Sequence, residues 1–239
     1  AVRAHLPGRK VKAIHDRGQW VRRIVEVTLD GDETVYFKIN VPQPGWLEGG
    51  AEHDLHVERL FKEHDLPGVP PILTVDNGCE ILPNPYLIQA WAGGTRLGTL
   101  LKERPEEGPA IYEAVGALYG RIHAIKNDRD GLWDGSTPES PWGAPTDYMY
   151  NAEIVEGSGR AALEQGRISR ETYDRAVRLW AENLDYLKKH QPALTHVSSF
   201  LWTIYLEQRE GGWHIAKLAS IGDMLWWDPA YDIACLRYP

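Results

Sequence analysis

The chain has 239 residues, a formal net charge of −8, 43% hydrophobic residues and 25% charged residues, which is an ordinary globular composition. The acidic balance argues against a nucleic-acid partner, and no apolar run approaches the roughly 20 residues that span a bilayer, so we expect no membrane partner. Two cysteines, Cys79 and Cys235, and an N-terminus without the apolar segment of a signal peptide favour a reducing, cytoplasmic location without structural zinc.

Residues 10–40 are predicted to form an antiparallel β-meander. Two runs rich in β-branched residues, Lys10–Asp16 and Val21–Leu29, are separated by the turn Arg17-Gly18-Gln19. A second turn, Asp30-Gly31-Asp32, leads into Thr34–Asn40, in which apolar and polar residues alternate with the period of a strand.

A helix at 51–63 and two further strands within 72–91 are predicted next, the second strand being Tyr86–Trp91. The glycine-rich stretch 92–95 interrupts this pattern, and the residues after it are predicted to be mainly helical. We therefore expect two lobes: an N-terminal β-rich lobe at 1–92 and a helical C-terminal lobe at 93–239.

The second half carries two apolar stripes with helical spacing, one from Ile111 to Ile125 and one from Tyr173 to Leu187. Both stripes are interpreted as core-packing faces, with Ser169 as the N-cap of the second helix. Residues 127–150 are rich in Gly, Pro and Asp and are predicted to form a loop. A β-hairpin is expected late in the chain, with strands Trp202–Glu207 and Trp213–Ser220.

The predicted hairpin indicates where a site should lie. Its turn is centred near residues 210 and 211, so positions 203 and 220 lie opposite each other at its open end. The loop that begins at His196 enters this end, and the segment 220–232 leaves it. Two loops that are distant in sequence thus meet beside a strand pair, which is a usual place for a functional site.

The segments Leu118–His123 and Asp228–Ala234 resemble two motifs of the aminoglycoside phosphotransferase and choline-kinase-like family, relatives of the protein kinases. The second is very similar to the family's Asp-Pro-x-x-Asp-Leu-Ala segment. The resemblance runs from about residue 10 to the last residue. It implies an α+β, two-lobed protein-kinase-like fold, with an antiparallel β N-lobe that carries one helix and a mainly helical C-lobe that carries the hairpin. It also implies ATP-dependent phosphorylation of a small-molecule hydroxyl.

The same resemblance places the catalytic residues. The family's loop has His-Gly-Asp, four residues and then Asn; its Asp accepts the substrate proton, and its Asn and a later Asp hold Mg²⁺. His196 matches the His, which holds the loop by hydrogen bonds, but the catalytic Asp position is Ser198 and the two metal positions are Thr203 and Ser220. Serine is not a general base near neutral pH, and Mg²⁺ prefers anionic oxygen ligands.

The resemblance also implies a set of nucleotide-binding residues. Lys38 matches the lysine that pairs with the α- and β-phosphates, and Gly18 lies in the turn that would cover them. The backbone of the hinge would bind adenine; its residues are Gln89, Ala90 and Trp91. The alternatives are a solvated lysine and an ordinary hairpin turn. The usual glutamate partner of the lysine is hard to place, because Glu52, His56 and Glu58 all lie on the following helix.

Three hypotheses remain open from the sequence. The first is a catalytically impaired, pseudokinase-like protein that binds ATP or a small molecule but not Mg²⁺. The second is an active kinase for an antibiotic, choline-like compound or sugar, in which Asp223 holds the metal ion. The third is a kinase-like scaffold that binds no nucleotide. The chain ends at Pro239, directly after the Asp-Pro motif, so we expect the C-terminal lobe to be truncated.

Overall fold

The computed structural model describes residues 1–18, 22–40, 50–131, 155 and 157–236. The N-terminal part is built on a five-stranded antiparallel sheet of order β1-β2-β3-β5-β4. Its strands are β1 (Val11–Asp16), β2 (Arg22–Leu29), β3 (Thr34–Asn40), β4 (Ile72–Asp76) and β5 (Tyr86–Ala90). The predicted meander is confirmed for the described residues; Val21, which was included in the second strand, lies outside them.

One face of this sheet is apolar because alternate residues of β2, β3 and β5 point the same way. These residues form a small core: Val27, Leu29, Val35, Phe37, Tyr86 and Ile88. The short helix α1 (Val2–His5) is joined to the sheet by His5, whose Nε2 lies 2.7 Å from the hydroxyl of Tyr86 and 3.3 Å from the carboxylate of Asp76.

Helix α2 (Gly50–Glu63) follows β3 and begins one residue before the predicted start. Val57, Leu60 and Phe61 are buried in the main core, which joins α2 to the C-terminal half of the chain. The carboxylate of Glu58 accepts a hydrogen bond from the backbone N–H of Ile72, so this helix also anchors the start of β4.

The C-terminal half combines helices with two small sheets. The helices are α3 (Leu97–Glu103), α4 (Gly108–His123), α5 (Ser158–Glu164), α6 (Arg170–Leu187) and α7 (Ala230–Cys235), with 3₁₀ turns at Pro105–Glu107 and Ile221–Asp223. One sheet has the order β6-β8-β9 and the other pairs β7 with β10. Their strands are β6 (Thr95–Arg96), β7 (Ala193–Thr195), β8 (Ile204–Arg209), β9 (Gly212–Leu218) and β10 (Leu225–Trp227).

Both predicted helical stripes are confirmed, with different degrees of burial. On α4 the residues Ile111, Val115, Leu118 and Ile122 are buried in the main core. The stripe of α6 is only half-buried among the described residues, and Ser169 caps this helix by accepting a hydrogen bond from the N–H of Thr172. Most of the predicted loop at 127–150 lies outside the described residues.

The α+β, kinase-like fold class is confirmed, whereas the lobe boundary at residues 92 and 93 stays a prediction. The tryptophans near the hairpin differ in burial: Trp226 and Trp227 are buried, but Trp202 is 48% exposed and stacks on Phe200. None of the helices among the described residues is long and apolar enough to cross a bilayer.

Candidate active site

A cleft of about 610 Å³ lies between the N-terminal sheet and the β8–β9 hairpin. The β2 and β3 strands supply one wall, and the hairpin with the turn after it supplies the other. The lining residues are Arg17, Ile24, Glu26, Thr34, Tyr36, Lys38, Trp91, Arg96, Tyr205, Lys217, Ala219, Ser220 and Asp223. Lys38, Trp91, Ser220 and Asp223 were predicted from the sequence, so four expected site residues line one cavity.

Lys38 is buried and forms an ion pair inside the cleft wall. Its Nζ lies 3.1 Å from Oδ1 of Asp54 on α2, and the two side chains are 9% and 1% exposed. The partner is therefore none of the three candidates considered on that helix. Glu52 accepts from Asn77 and Glu58 pairs with Lys62, so both have other contacts. Asp54 was not among the predicted partners because the family's partner of this lysine is a glutamate.

The backbone N–H groups of Ala90 and Trp91 and the side-chain amide of Gln89 are hydrogen-bonded within the chain. The N–H of Ala90 donates to the carbonyl of Pro71 at 2.9 Å, and that of Trp91 donates to the carbonyl of Thr34 at 3.2 Å. Gln89 is 2% exposed, and its side-chain amide donates to the carbonyl of Pro70 at 2.8 Å. These contacts define how β5 ends.

An aromatic cluster that the sequence did not predict lies beside the hinge. The Nζ of Lys217 is 4.4 Å from the ring centroid of Tyr36, 4.9 Å from that of Trp91 and 5.5 Å from that of Tyr205. Ring faces attract a cation at such distances. The available signal was a lysine within the otherwise apolar strand β9, which indicates a charge that the fold must accommodate.

Lys217 has an unusual electrostatic environment because the residue is buried, with only 8% of its surface exposed. Burial, together with the positive charges of Lys38 and Arg96, lowers the pKa of Lys217 to about 7, although Glu26 partly opposes the shift. The pKa of this lysine therefore depends strongly on the charge of any group that binds beside it.

The turn predicted to cover the phosphates is described only in part. Gly18 adopts a positive φ of 50°, and its N–H donates to the carboxylate of Asp16. Arg17 reaches back to Glu26 on β2, with 2.8 Å between its Nη2 and Oε2 of the carboxylate. The hydroxyl of Tyr36 donates to the same oxygen, so this end of the cleft is held by a three-residue network.

His196 has the structural role predicted for it. Its Nε2 lies 2.7 Å from the carbonyl of Ala219, which can only accept, so Nε2 carries the proton and Nδ1 accepts from the hydroxyl of Tyr119 at 2.7 Å. Burial lowers the pKa of His196, which keeps the ring neutral, although Asp232 opposes the shift. The ring thereby joins the loop to helix α4 and to the hairpin.

Asp232 fixes the same loop from the other side. Its two oxygens accept from the backbone N–H groups of His196 and Val197 at 2.8 and 2.9 Å and from the hydroxyl of Ser199. Oδ2 also lies 2.9 Å from Nε2 of His123. Because Asp232 is completely buried, these contacts make it the main anchor of the loop.

Ser198 and Asp223 meet at the inner end of the cleft. The hydroxyl of Ser198 donates to Oδ2 of Asp223 at 2.7 Å. Ser220 lies in the left-handed region with a φ of 58°, and so does Val197 with a φ of 64°. Val197 occupies the glycine position of the His-Gly-Asp motif, and a β-branched residue is strained there.

The sequence profile described as the phosphotransferase enzyme family matches residues 10–213. The chain belongs to this family. A search among curated proteins found no match.

Solved structures of phosphotransferase-family enzymes share the fold. A fructosamine-3-kinase structure from Thermobifida fusca has 17% identity and a TM-score of 0.56, covering 95% of this chain and 74% of that one. The GDP and kanamycin complex of APH(2'')-IIIa has 14% identity and a TM-score of 0.63, covering 98% and 75%. A thermostable mutant of APH(4)-Ia with ADP and hygromycin B has 15% identity and a TM-score of 0.59, covering 98% and 73%.

The two residues predicted to stand at the phosphotransferase family's metal positions, Thr203 and Ser220, do not fit Mg²⁺. The hydroxyl of Thr203 lies 2.5 Å from the carbonyl of Ser198 and 2.8 Å from that of Phe200, and it accepts from the N–H of Phe200, so it serves the loop itself. Ser220 supplies no charge. Among the described residues there is no group of three or more His, Cys, Asp or Glu side chains that could hold a metal ion.

Proposed function

We propose that this chain is a nucleotide-binding member of the phosphotransferase family in which phosphoryl transfer is strongly impaired. The observation that carries this proposal is the hydrogen bond from Ser198 to Asp223 at 2.7 Å. The group at the catalytic base position is a hydroxyl that donates its own proton to a carboxylate. It does not take a proton from a substrate.

The loss of the base has a definite kinetic cost. General acid–base catalysis by a positioned side chain contributes ~10²–10⁴ in rate. The absent metal carboxylates remove charge stabilisation of several kcal/mol as an order-of-magnitude expectation. These losses do not simply add, and the loss of the base acts on the transfer step rather than on phosphate binding.

Phosphate binding is supported by a group that remains in place. Lys38 lines the cleft and is held by Asp54 in an ion pair of 3.1 Å, so its position does not depend on a ligand. A lysine is a point charge suited to phosphate oxygens. We infer that the triphosphate of ATP contacts Lys38 without the help of a divalent ion.

Calorimetric titration with ATP, with and without Mg²⁺, tests the proposal. We expect binding of similar strength in both conditions and weakening by at least about tenfold in Lys38→Met, since a charge-assisted contact is lost. Lys102→Met, at an exposed position on α3, is the control. Binding that requires Mg²⁺ would contradict the proposal, and so would the absence of any ATP binding.

A second candidate function is an active small-molecule kinase that uses Asp223. The observation in its favour is that Asp223 lines the same cleft as Lys38. If this carboxylate takes part in transfer, Asp223→Asn should abolish ADP release from a chain that otherwise releases ADP steadily with Mg²⁺. Under the first proposal, both forms release ADP only at the background rate.

A further inference from the structure

The first residues of the hinge use their backbone and side-chain donors within the chain. The N–H groups of Ala90 and Trp91 donate to carbonyls of the chain itself, at 2.9 and 3.2 Å. The amide of Gln89 is buried and donates to the carbonyl of Pro70. A base placed at these three residues would have to break contacts that define the end of β5.

The hinge end of the cleft also holds two basic side chains, Lys217 and Arg96. Among the described residues, Lys217 and Arg96 form no ion pair, whereas the other two cations of the cleft, Arg17 and Lys38, each pair with a carboxylate. The Nε of Arg96 donates to the hydroxyl of Tyr205 at 3.0 Å, and its guanidinium carbon lies 5.8 Å from the centre of that ring. Lys217 contacts the same ring at 5.5 Å.

These two charges favour a ligand of a particular kind. A neutral purine would cover the amine of Lys217 without supplying a negatively charged group to pair with it. Burying an unpaired charge is costly. A phosphate group would supply several anionic oxygens to both residues, and charge-assisted hydrogen bonds are about twice as strong as neutral ones.

We propose that Lys217 and Arg96 form an anion site at the hinge end of the cleft, and that this site takes a phosphate group rather than a purine base. The inference rests on the phosphate role proposed for Lys38. Together the two sites make a cleft that binds a polyphosphate chain along its length, with Lys38 at the inner end and the anion site at the hinge end.

Titration calorimetry with inorganic tripolyphosphate, ATP and adenosine tests the inference, all at one ionic strength and without metal. We expect tripolyphosphate to bind at least as tightly as ATP, and adenosine not to bind. Lys217→Met and Arg96→Met should each weaken tripolyphosphate binding by about tenfold or more. Lys102→Met, outside the cleft, should leave it unchanged, and thermal unfolding of each variant confirms folding. Because Arg96 is exposed, its variant tests the site even if Lys217→Met folds poorly.

The other outcomes separate the two proposals. ATP binding at least about tenfold tighter than tripolyphosphate, or binding of adenosine, would overturn the anion site and leave the proposed nucleotide binding standing. Binding of tripolyphosphate but not of ATP would support the anion site and overturn the proposed function. If neither phosphate compound binds, both proposals fail.

Discussion

The two buried lysines of the cleft wall are surrounded by different groups. Lys38 on β3 lies against the carboxylate of Asp54, so its charge is paired inside the protein. Lys217 on β9 lies against three aromatic rings and has no ion-pair partner among the described residues. Removal of the positive charge should therefore change the free energy of unfolding in opposite directions at the two residues.

For Lys38, removal of the charge should destabilise the protein. Lys38→Met removes one partner of the buried pair with Asp54, and breaking a buried pair from one side typically costs roughly 3–5 kcal/mol in the free energy of unfolding. Lys12→Met is the control, because its pair with Asp32 is exposed and such pairs contribute about 0–1 kcal/mol. Urea unfolding measures both. Equal effects of the two substitutions would contradict a buried, structurally important pair.

For Lys217, removal of the charge should stabilise the protein near neutral pH. Its pKa falls from 10.5 in the unfolded chain to about 7 in the folded one, so the unfolded chain binds more protons between these values. The cost of burying this amine is absent above pH 10.5, grows as the pH falls and is complete below about pH 7. Lys217→Met should thus raise the free energy of unfolding by up to a few kcal/mol at pH 7.

The gain from Lys217→Met should become smaller as the pH rises towards 10.5, the value for the unfolded chain. Urea unfolding of both proteins across this range measures the difference. A variant that is less stable than the original at pH 7 would mean that the contacts with Tyr36, Trp91 and Tyr205 outweigh the cost of burial.

At the scale of elements, helix α7 holds the loop that contains Ser198. The link is Asp232, which lies in α7 and accepts hydrogen bonds from two backbone N–H groups of the loop. His196 adds a second link, from the loop to α4 and to the end of β9. The loop is thus fixed by three elements.

This arrangement predicts unequal effects of two substitutions in one motif. Asp232→Ala leaves buried donors without an acceptor and should lower the free energy of unfolding by about 3 kcal/mol or more. Asp228→Ala removes one hydrogen bond, to the N–H of Ala230, and should cost about 1 kcal/mol. Hydrogen exchange at the amides of His196 and Val197 should accelerate only in the first variant. Equal loss of stability in both would contradict the anchoring role.

At the scale of the whole molecule, the sequence predicted the order of the elements better than the contacts between them. The strands of the N-terminal sheet and the stripe of α4 follow from local periodicity, which a single segment contains. The pair between Lys38 and Asp54 depends on how α2 turns against β3, and no periodicity fixes that rotation. The rings around Lys217 come from β3, the hinge and β8, so their meeting is a property of the folded chain.

The central claim is that the chain binds nucleotide but lacks the groups that move its terminal phosphate. The most direct measurement is ADP release from Mg²⁺–ATP by the unmodified chain beside a variant that carries Ser198→Asp, Thr203→Asn and Ser220→Asp. We predict a rate at background for the unmodified chain and an increase of at least ~10² in the variant. Steady turnover of roughly 1–100 s⁻¹ by the unmodified chain would contradict the account.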